Sequence, residues 1–336
     1  MSKVTLIAAA AVGAITGAAT TALFVGGKKQ TAATTVPATL PQNSVSSSAP
    51  NQHSAAVPPS VINSLQQDLK TPINPAGLFE YGFPGPINDL ANRKALVSAY
   101  DRRTRNPMWV AEHITAESLK VKGGDRKNSV FVEDPEIPAK FQAKLKDYFR
   151  SGYDRGHQVP AADAKWSQQA MDDTFFLSNM CPQVGEGFNR DYWSHFEDFC
   201  RRLTHKYPSV RIVTGPLYLP RQYPDGKWRV SYEVIGSPAN VAVPTHFYKV
   251  IFAEGPNPKS DPVAIGAFVL PNARIDNKTK LTDFEVPLEA VERASGLEFA
   301  TLLPNHRKKE LCKQIECSIT VREFNNARKE LPAPKQ

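Results

Sequence analysis

The sequence predicts an α+β fold, a mixed sheet core packed with helices, and three observations lead there. Short apolar runs split by Gly and Pro, at residues 210–219, 230–235, 246–253 and 263–270, have the length and flanks of strands. Two other segments carry apolar residues at three- and four-residue spacing, the period of a helix. The regular strand–helix alternation of a doubly wound fold is missing. With 41% hydrophobic and 9% aromatic residues in 336, the chain can bury a core and is not wholly disordered. Four cysteines in that length exclude a disulfide scaffold.

Along the chain, residues 4–27 hold no charge, with Lys3 before them and Lys28 and Lys29 after. As a helix, residues 4–25 would run roughly 33 Å at about 1.5 Å per residue, enough to cross a bilayer. Ala, Gly and Thr make the run only weakly hydrophobic. A membrane anchor, a secretory signal and a cleaved mitochondrial targeting segment all remain open for residues 1–29. Residues 30–67 are uncharged, aperiodic and dense in Thr, Ser, Ala and Pro, so residues 30–70 read as a flexible linker. Residues 71–336 change to aromatics, charges and periodic patterns, and suit one large domain without internal repeats. Within it, residues 134–149 (DPEIPAKFQAKLKDYF) predict a helix from Phe141, Leu145 and Phe149 at four-residue spacing. Residues 189–207 predict a second, with Tyr192, Phe196, Phe199 and Leu203 on one face and Trp193, Phe196 and Phe199 in the core. The net charge of +8 splits into +3 on residues 1–70 and +5 beyond, compatible with a polyanionic partner without demanding one.

Chemistry concentrates in SGYDRGHQVPAAD, residues 151–163. His157 is a candidate general base, because imidazole is the side chain best able to take a proton near neutral pH. Arg155 offers a planar fork of donors to a phosphate, and Gly156 permits close backbone approach. Alone, the segment is equally a surface loop with a solvated histidine. Downstream, TFFLSN (174–179) reads as a strand ending at Asn179, MCPQ leads to GEGFN (185–189), and the helix from Asn189 carries Trp193 and Glu197.

This ordered set, DRGH, then Asn, then Asn at a helix start, then Glu eight residues on, resembles the DNA/RNA non-specific endonuclease family, and within it mitochondrial endonuclease G and its fungal relatives. The likeness spans residues 71–330. It includes YGFPGP (81–86), SGYDRGHQVPAADAKWSQQAMDDTFFLSNMCPQ (151–183), TGPLYLP (214–220) and VAVPTHFYKV (241–250). The resemblance implies a ββα-metal, or His-Me finger, site holding one divalent ion. It implies His157 as general base, Asn189 as the single protein ligand to Mg²⁺ (Mn²⁺ able to substitute), and Asn179 as an orienting residue. Glu197 would contact the metal's waters, and Arg155 and, more loosely, Arg126 would bind phosphate. Further implications are DNA and RNA as substrates, a homodimer, and a mitochondrial location at the inner membrane facing the intermembrane space, which favours targeting or anchoring by residues 1–29. The rival readings are a membrane-tethered nucleic-acid-binding protein without cleavage and a secreted nuclease. Helix geometry adds a constraint: eight residues place Glu197 about 12 Å along the axis from Asn189, rotated by roughly 80°, so Glu197 would reach the ion through water.

Elsewhere, Cys181 and Cys200 with His195 or His205 match no standard zinc finger spacing. Cys312 and Cys317 read as thiols or a minor disulfide. The basic run Arg307, Lys308, Lys309 and Lys313 reads first as a solvated helix face, with nucleic-acid contact as the alternative. His246 reads as structural.

Overall fold

A computed structural model describes residues 75–82 and 89–321. The segments assigned to targeting and to the linker lie outside the described residues, as does most of YGFPGP. The described residues all fall within one unit, residues 52–336. Its frame is a seven-stranded sheet in the order β1 (Leu90–Asn92), β2 (Val97–Asp101), β3 (Asn106–Ile114), β6 (Ser209–Leu217), β11 (His246–Glu254), β12 (Val263–Pro271) and β13 (Lys308–Glu310). Neighbours are antiparallel except β12 and β13. Three two-stranded ribbons stand apart: β4 (Tyr153–His157) with β5 (Met180–Val184), β7 (Arg221–Gln222) with β8 (Trp228–Arg229), and β9 (Val234–Ile235) with β10 (Val241–Ala242).

The central strands are covered on both faces, which is why they read as continuous apolar runs. Along β11, Tyr248, Val250 and Phe252 join one core, with Trp109 of β3 and Val291 of helix α2 (Leu288–Ser295). The alternate residues Phe247, Ile251 and Ala253 join the other, against helix α1 (Tyr192–Leu203). On α1, Trp193, Phe196 and Phe199 are all at most 1% exposed, as their spacing predicts. Lys249 falls in the α1-facing set of β11, and its ammonium is buried there.

Strands 210–219, 246–253 and 263–270 form within two residues of their expected bounds, whereas in 230–235 only Val234–Ile235 is strand. The helix expected over 134–149 does not form. Pro138 lacks the amide donor that a helix from Asp134 needs and its ring would collide with the Asp134 carbonyl, and the chain makes only short turns at Ala139–Phe141 and Leu145–Tyr148. Gln142 Nε2 bonds the carbonyls of Asp134 at 2.6 Å and Ile137 at 2.9 Å in place of a helical ladder. TFFLSN is not a strand either: Thr174 caps a short helix, Leu177–Asn179 is a 3-10 turn, and β5 starts only at Met180. The basic run near the C-terminus lies on β13 and the short helix Leu311–Gln314, and Arg307 spends its guanidinium on the carbonyls of Pro258 and Asp261. Cys312 and Cys317 form a disulfide, and Cys181 and Cys200 are buried free thiols.

Phe196 meets Phe268 edge-on at 5.2 Å, joining α1 to β12. Phe196→Ala should therefore cost about 3–5 kcal/mol, the usual loss for emptying such a site. Denaturant titration of the variant checks this, and a loss below about 1 kcal/mol contradicts the packing.

Candidate active site

The ribbon β4–β5 and helix α1 together form a ββα unit. In the ribbon, Gly156 pairs with Cys181 and His157 with Met180, and Gln158 N–H continues the ladder to Asn179 O at 2.9 Å. Gly156 is required by contact: a Cβ there would lie 2.0 Å from Oε1 of the buried Gln183. Asn179 acts on the chain just beyond His157. Its Oδ1 accepts from Val159 N–H at 3.0 Å, and its Nδ2 donates to the carbonyls of Val159 and Thr174 at 3.0 and 2.8 Å. The side chain is thus occupied with backbone, and it fastens the chain two residues beyond His157.

His157 is 8% exposed, its ring between Phe131 at 5.6 Å and Phe175 at 4.9 Å. Each phenylalanine also carries an arginine: Arg155 lies over Phe131 at 4.2 Å and Arg126 over Phe175 at 5.2 Å. Burial first, then the charges of Arg126 and Arg155, press the His157 pKa down to about 3, so the imidazole is neutral near pH 7. Phe131 and Phe175 are brought together by the bridge between Val132 and Phe176. Sequence reading missed both, since a lone Phe carries no mark that separates it from core.

Asn189 lies in the turn Gly185–Asn189 rather than on the helix. Gly187 takes φ +79° there, and α1 begins only at Tyr192 after Asp191 departs from helical geometry. The ideal-helix offset between Asn189 and Glu197 therefore does not apply. Asn189 Nδ2 donates to Asp154 Oδ2 at 2.9 Å, and Arg190 forms a two-point ion pair with the same carboxylate. A carboxylate only accepts, so Asp154 engages the amide NH₂ and leaves the amide oxygen for another partner. An oxygen so presented fits a hard cation such as Mg²⁺, which keeps most of its waters. Among the described residues no cluster of three or more His, Cys, Asp or Glu could hold a metal, zinc at the cysteines included.

Arg126, Arg155 and Asn189 share one cleft of roughly 480 Å³, with His157 buried behind it. Glu197 is not in that wall. It is half-buried on α1, its pKa pushed up to about 7 by burial and Asp163, against the pull of Lys249, Arg201 and Arg126. Arg201 pairs with Asp163 at 2.9 Å. The charge of Arg126 is felt by both His157 and Glu197. His246 is bonded to Thr245 Oγ1 at 3.0 Å, far in sequence from this constellation.

The family model for the DNA/RNA non-specific endonucleases matches residues 74–306. The chain belongs to that family. It is 62% identical over 284 residues to a protein named mitochondrial nuclease from Saccharomyces cerevisiae, covering 82% of this chain and 86% of that one. To endonuclease G, mitochondrial, from Homo sapiens it is 46% identical, covering 66% and 72%. A chain from a crystal structure of the EndoG/EndoGI complex superposes with a TM-score of 0.67 at 44% identity, covering 72% of this chain and 99% of that one. The α+β fold with its ββα-metal unit is thus that of this endonuclease family. Arg155, Arg126 and Asn189 line the cleft, and His157, Asn179 and Glu197 lie outside its lining.

A histidine with a folded pKa below its unfolded value of about 6.5 contributes stability that is complete above that value. That contribution is lost as pH falls through the folded value of about 3. In metal-free protein, the His157 ring resonances should stay unchanged by NMR from pH 8 to 5. A midpoint near 6.5 contradicts the buried, cation-flanked imidazole.

Proposed function

We propose that this endonuclease-family chain is a mitochondrial, Mg²⁺-dependent, sugar-non-specific nuclease that hydrolyses phosphodiester bonds within DNA and RNA. The observation that supports this best is the buried His157, flanked by two phenylalanines that each carry an arginine, beside a cleft lined by Arg126, Arg155 and Asn189. His157 takes the proton of an attacking water. Arg155 and Arg126 hold the phosphate oxygens, and their charge counters the negative charge that grows in the transition state. Asn179 keeps the backbone after His157 in place, and Asp154 keeps the Asn189 amide turned toward the cleft. When bound at Asn189, Mg²⁺ (or Mn²⁺) would offset charge on the phosphate and the departing oxygen. Glu197 would accept hydrogen bonds from waters there. Because these residues meet phosphate rather than base edges, sequence preference is weak.

The names of the relatives support the mitochondrial reading. On it, residues 1–29 are a targeting segment or inner-membrane anchor, residues 30–70 a tether and residues 71–336 the nuclease domain, facing the intermembrane space as a homodimer. No helix among the described residues is long and apolar enough to cross a membrane.

His157→Ala should lower cleavage of plasmid DNA and of RNA by about 10²–10⁴-fold, the usual loss for a general base, while leaving nucleic-acid affinity near wild type. Activity within tenfold of wild type overturns the assignment. Asn189→Ala should weaken metal dependence as well as turnover, and Glu197→Gln should do less than either, because a water-mediated contact tolerates a neutral side chain. Single-turnover cleavage across a metal titration reads all three. Cleavage that survives EDTA contradicts the metal requirement, and binding without cleavage favours the tethered binding protein.

A further inference from the structure

Phe149 stands at the mouth of the cleft, 66% exposed, with Leu145 the other exposed large hydrophobic residue of its wall. Isolated surface apolar residues are ordinary; the way this one is held is not. Tyr148 before it is buried, and Asp147 Oδ2 anchors the turn by accepting from Lys144 N–H at 2.8 Å and Asn240 Nδ2 at 2.7 Å. After it, Arg150 takes φ +53°, a conformation costly for a side chain with a Cβ. Ser151 Oγ then ties the turn by donating to Tyr148 O at 3.0 Å and accepting from Tyr153 N–H at 3.2 Å. The chain is thus fastened on both sides of a ring that it presents to solvent. The Arg150 guanidinium lies over that ring at 5.1 Å, and the same wall carries Arg155 and Asn189.

We propose that Phe149 is a stacking site for an unpaired nucleobase beside the scissile phosphate, so that the cleft grips single-stranded nucleic acid more tightly than duplex. This rests on the nuclease reading and goes beyond it by naming the form of substrate. The cleft's arginines suit a polyanionic backbone, and an aromatic face among cations suits the bases that backbone carries. Stacking is tolerant of base identity, because every base has a π face, which agrees with weak sequence preference. The magnitudes decide the substrate form. A base on an aromatic ring gains about 5- to 150-fold in affinity, and removing a base from a duplex forfeits a comparable or larger factor. The ring therefore rewards strands whose bases are already free: single strands, loops and frayed ends.

The test uses the full chain and fluorescence anisotropy in EDTA, where binding is read without cleavage. The probes are a single-stranded oligonucleotide, its duplex, and a strand of the same length made abasic throughout. Phe149→Ala should weaken single-strand binding by about 5- to 150-fold, with less than threefold change on the duplex and on the abasic strand. Phe149→Trp should bind single strand as wild type does. Phe149→Leu, apolar but without a π face, should follow Phe149→Ala. Equal losses on the abasic strand, no loss on the single strand, or wild-type binding by Phe149→Leu each overturn the stacking site. Cleavage of the same probes with Mg²⁺ is scored separately: a wild type that binds but does not cut defeats the nuclease reading and leaves the binding comparison intact.

Discussion

The ammonium of Lys249 lies between the central sheet and α1, and much of the site depends on how that buried charge is accommodated. It projects from β11 into a core of Phe, Trp and Ile, 1% exposed, and its hydrogen bond goes to Thr214 Oγ1 at 2.8 Å rather than to a carboxylate. An ammonium taken out of water costs several kcal/mol unless other groups replace the lost hydration. Trp193 supplies a π face at 4.9 Å, worth about 2 kcal/mol when desolvated. Glu197, one turn further along the same helix, supplies a carboxyl group within its field. Both come from α1, so the helix docks with Trp193 and Glu197 turned to the sheet, or the charge is stranded. Glu112, buried on β3, has its pKa held well above the usual range first by burial and then by the neighbouring Asp163 carboxylate, against the pull of Lys249. Beneath α1, then, the charges are few and mutually dependent.

The electrostatics of the cleft follow a similar economy. Burial is the main reason that His157 is unprotonated, and the two arginines beside the cleft add to it. On the proposed mechanism, one pair of arginines thereby serves substrate binding and base readiness together. Their seating on Phe131 and Phe175 fixes both arginines relative to the imidazole, which those rings also flank.

How much of this was legible in the sequence depended on whether burial leaves a periodic trace. Strands β6, β11 and β12 were readable because both of their faces are covered, giving apolar runs that stop at Gly or Pro. Helix α1 was readable from its aromatic stripe, but its start was not, because Gly187 and Asp191 turn the chain by dihedral angles that spacing does not encode. Residues 134–149 misled because Phe141, Leu145 and Phe149 mimic a helical face just after two prolines, and the supposed face residue Phe149 is in fact exposed. His157, Arg155 and Asn189 were nominated through family likeness joined to chemistry. The hydrogen bond from Asn189 to Asp154 and the two phenylalanines around His157 link residues distant in sequence and leave no local mark.

The Gln183 side chain reaches diagonally across the ribbon that carries His157, into the space a side chain at Gly156 would need. Neither position is therefore free to vary by itself. A methyl group added at 156 would strike Gln183 Oε1, and Gln183 is fully buried with nowhere to retreat. Alanine at 156 becomes accommodable only once residue 183 has shortened, and shortening 183 first opens a hole beside the strand that carries His157. The two positions therefore behave as a steric ratchet: a change at either one is disfavoured until the other follows.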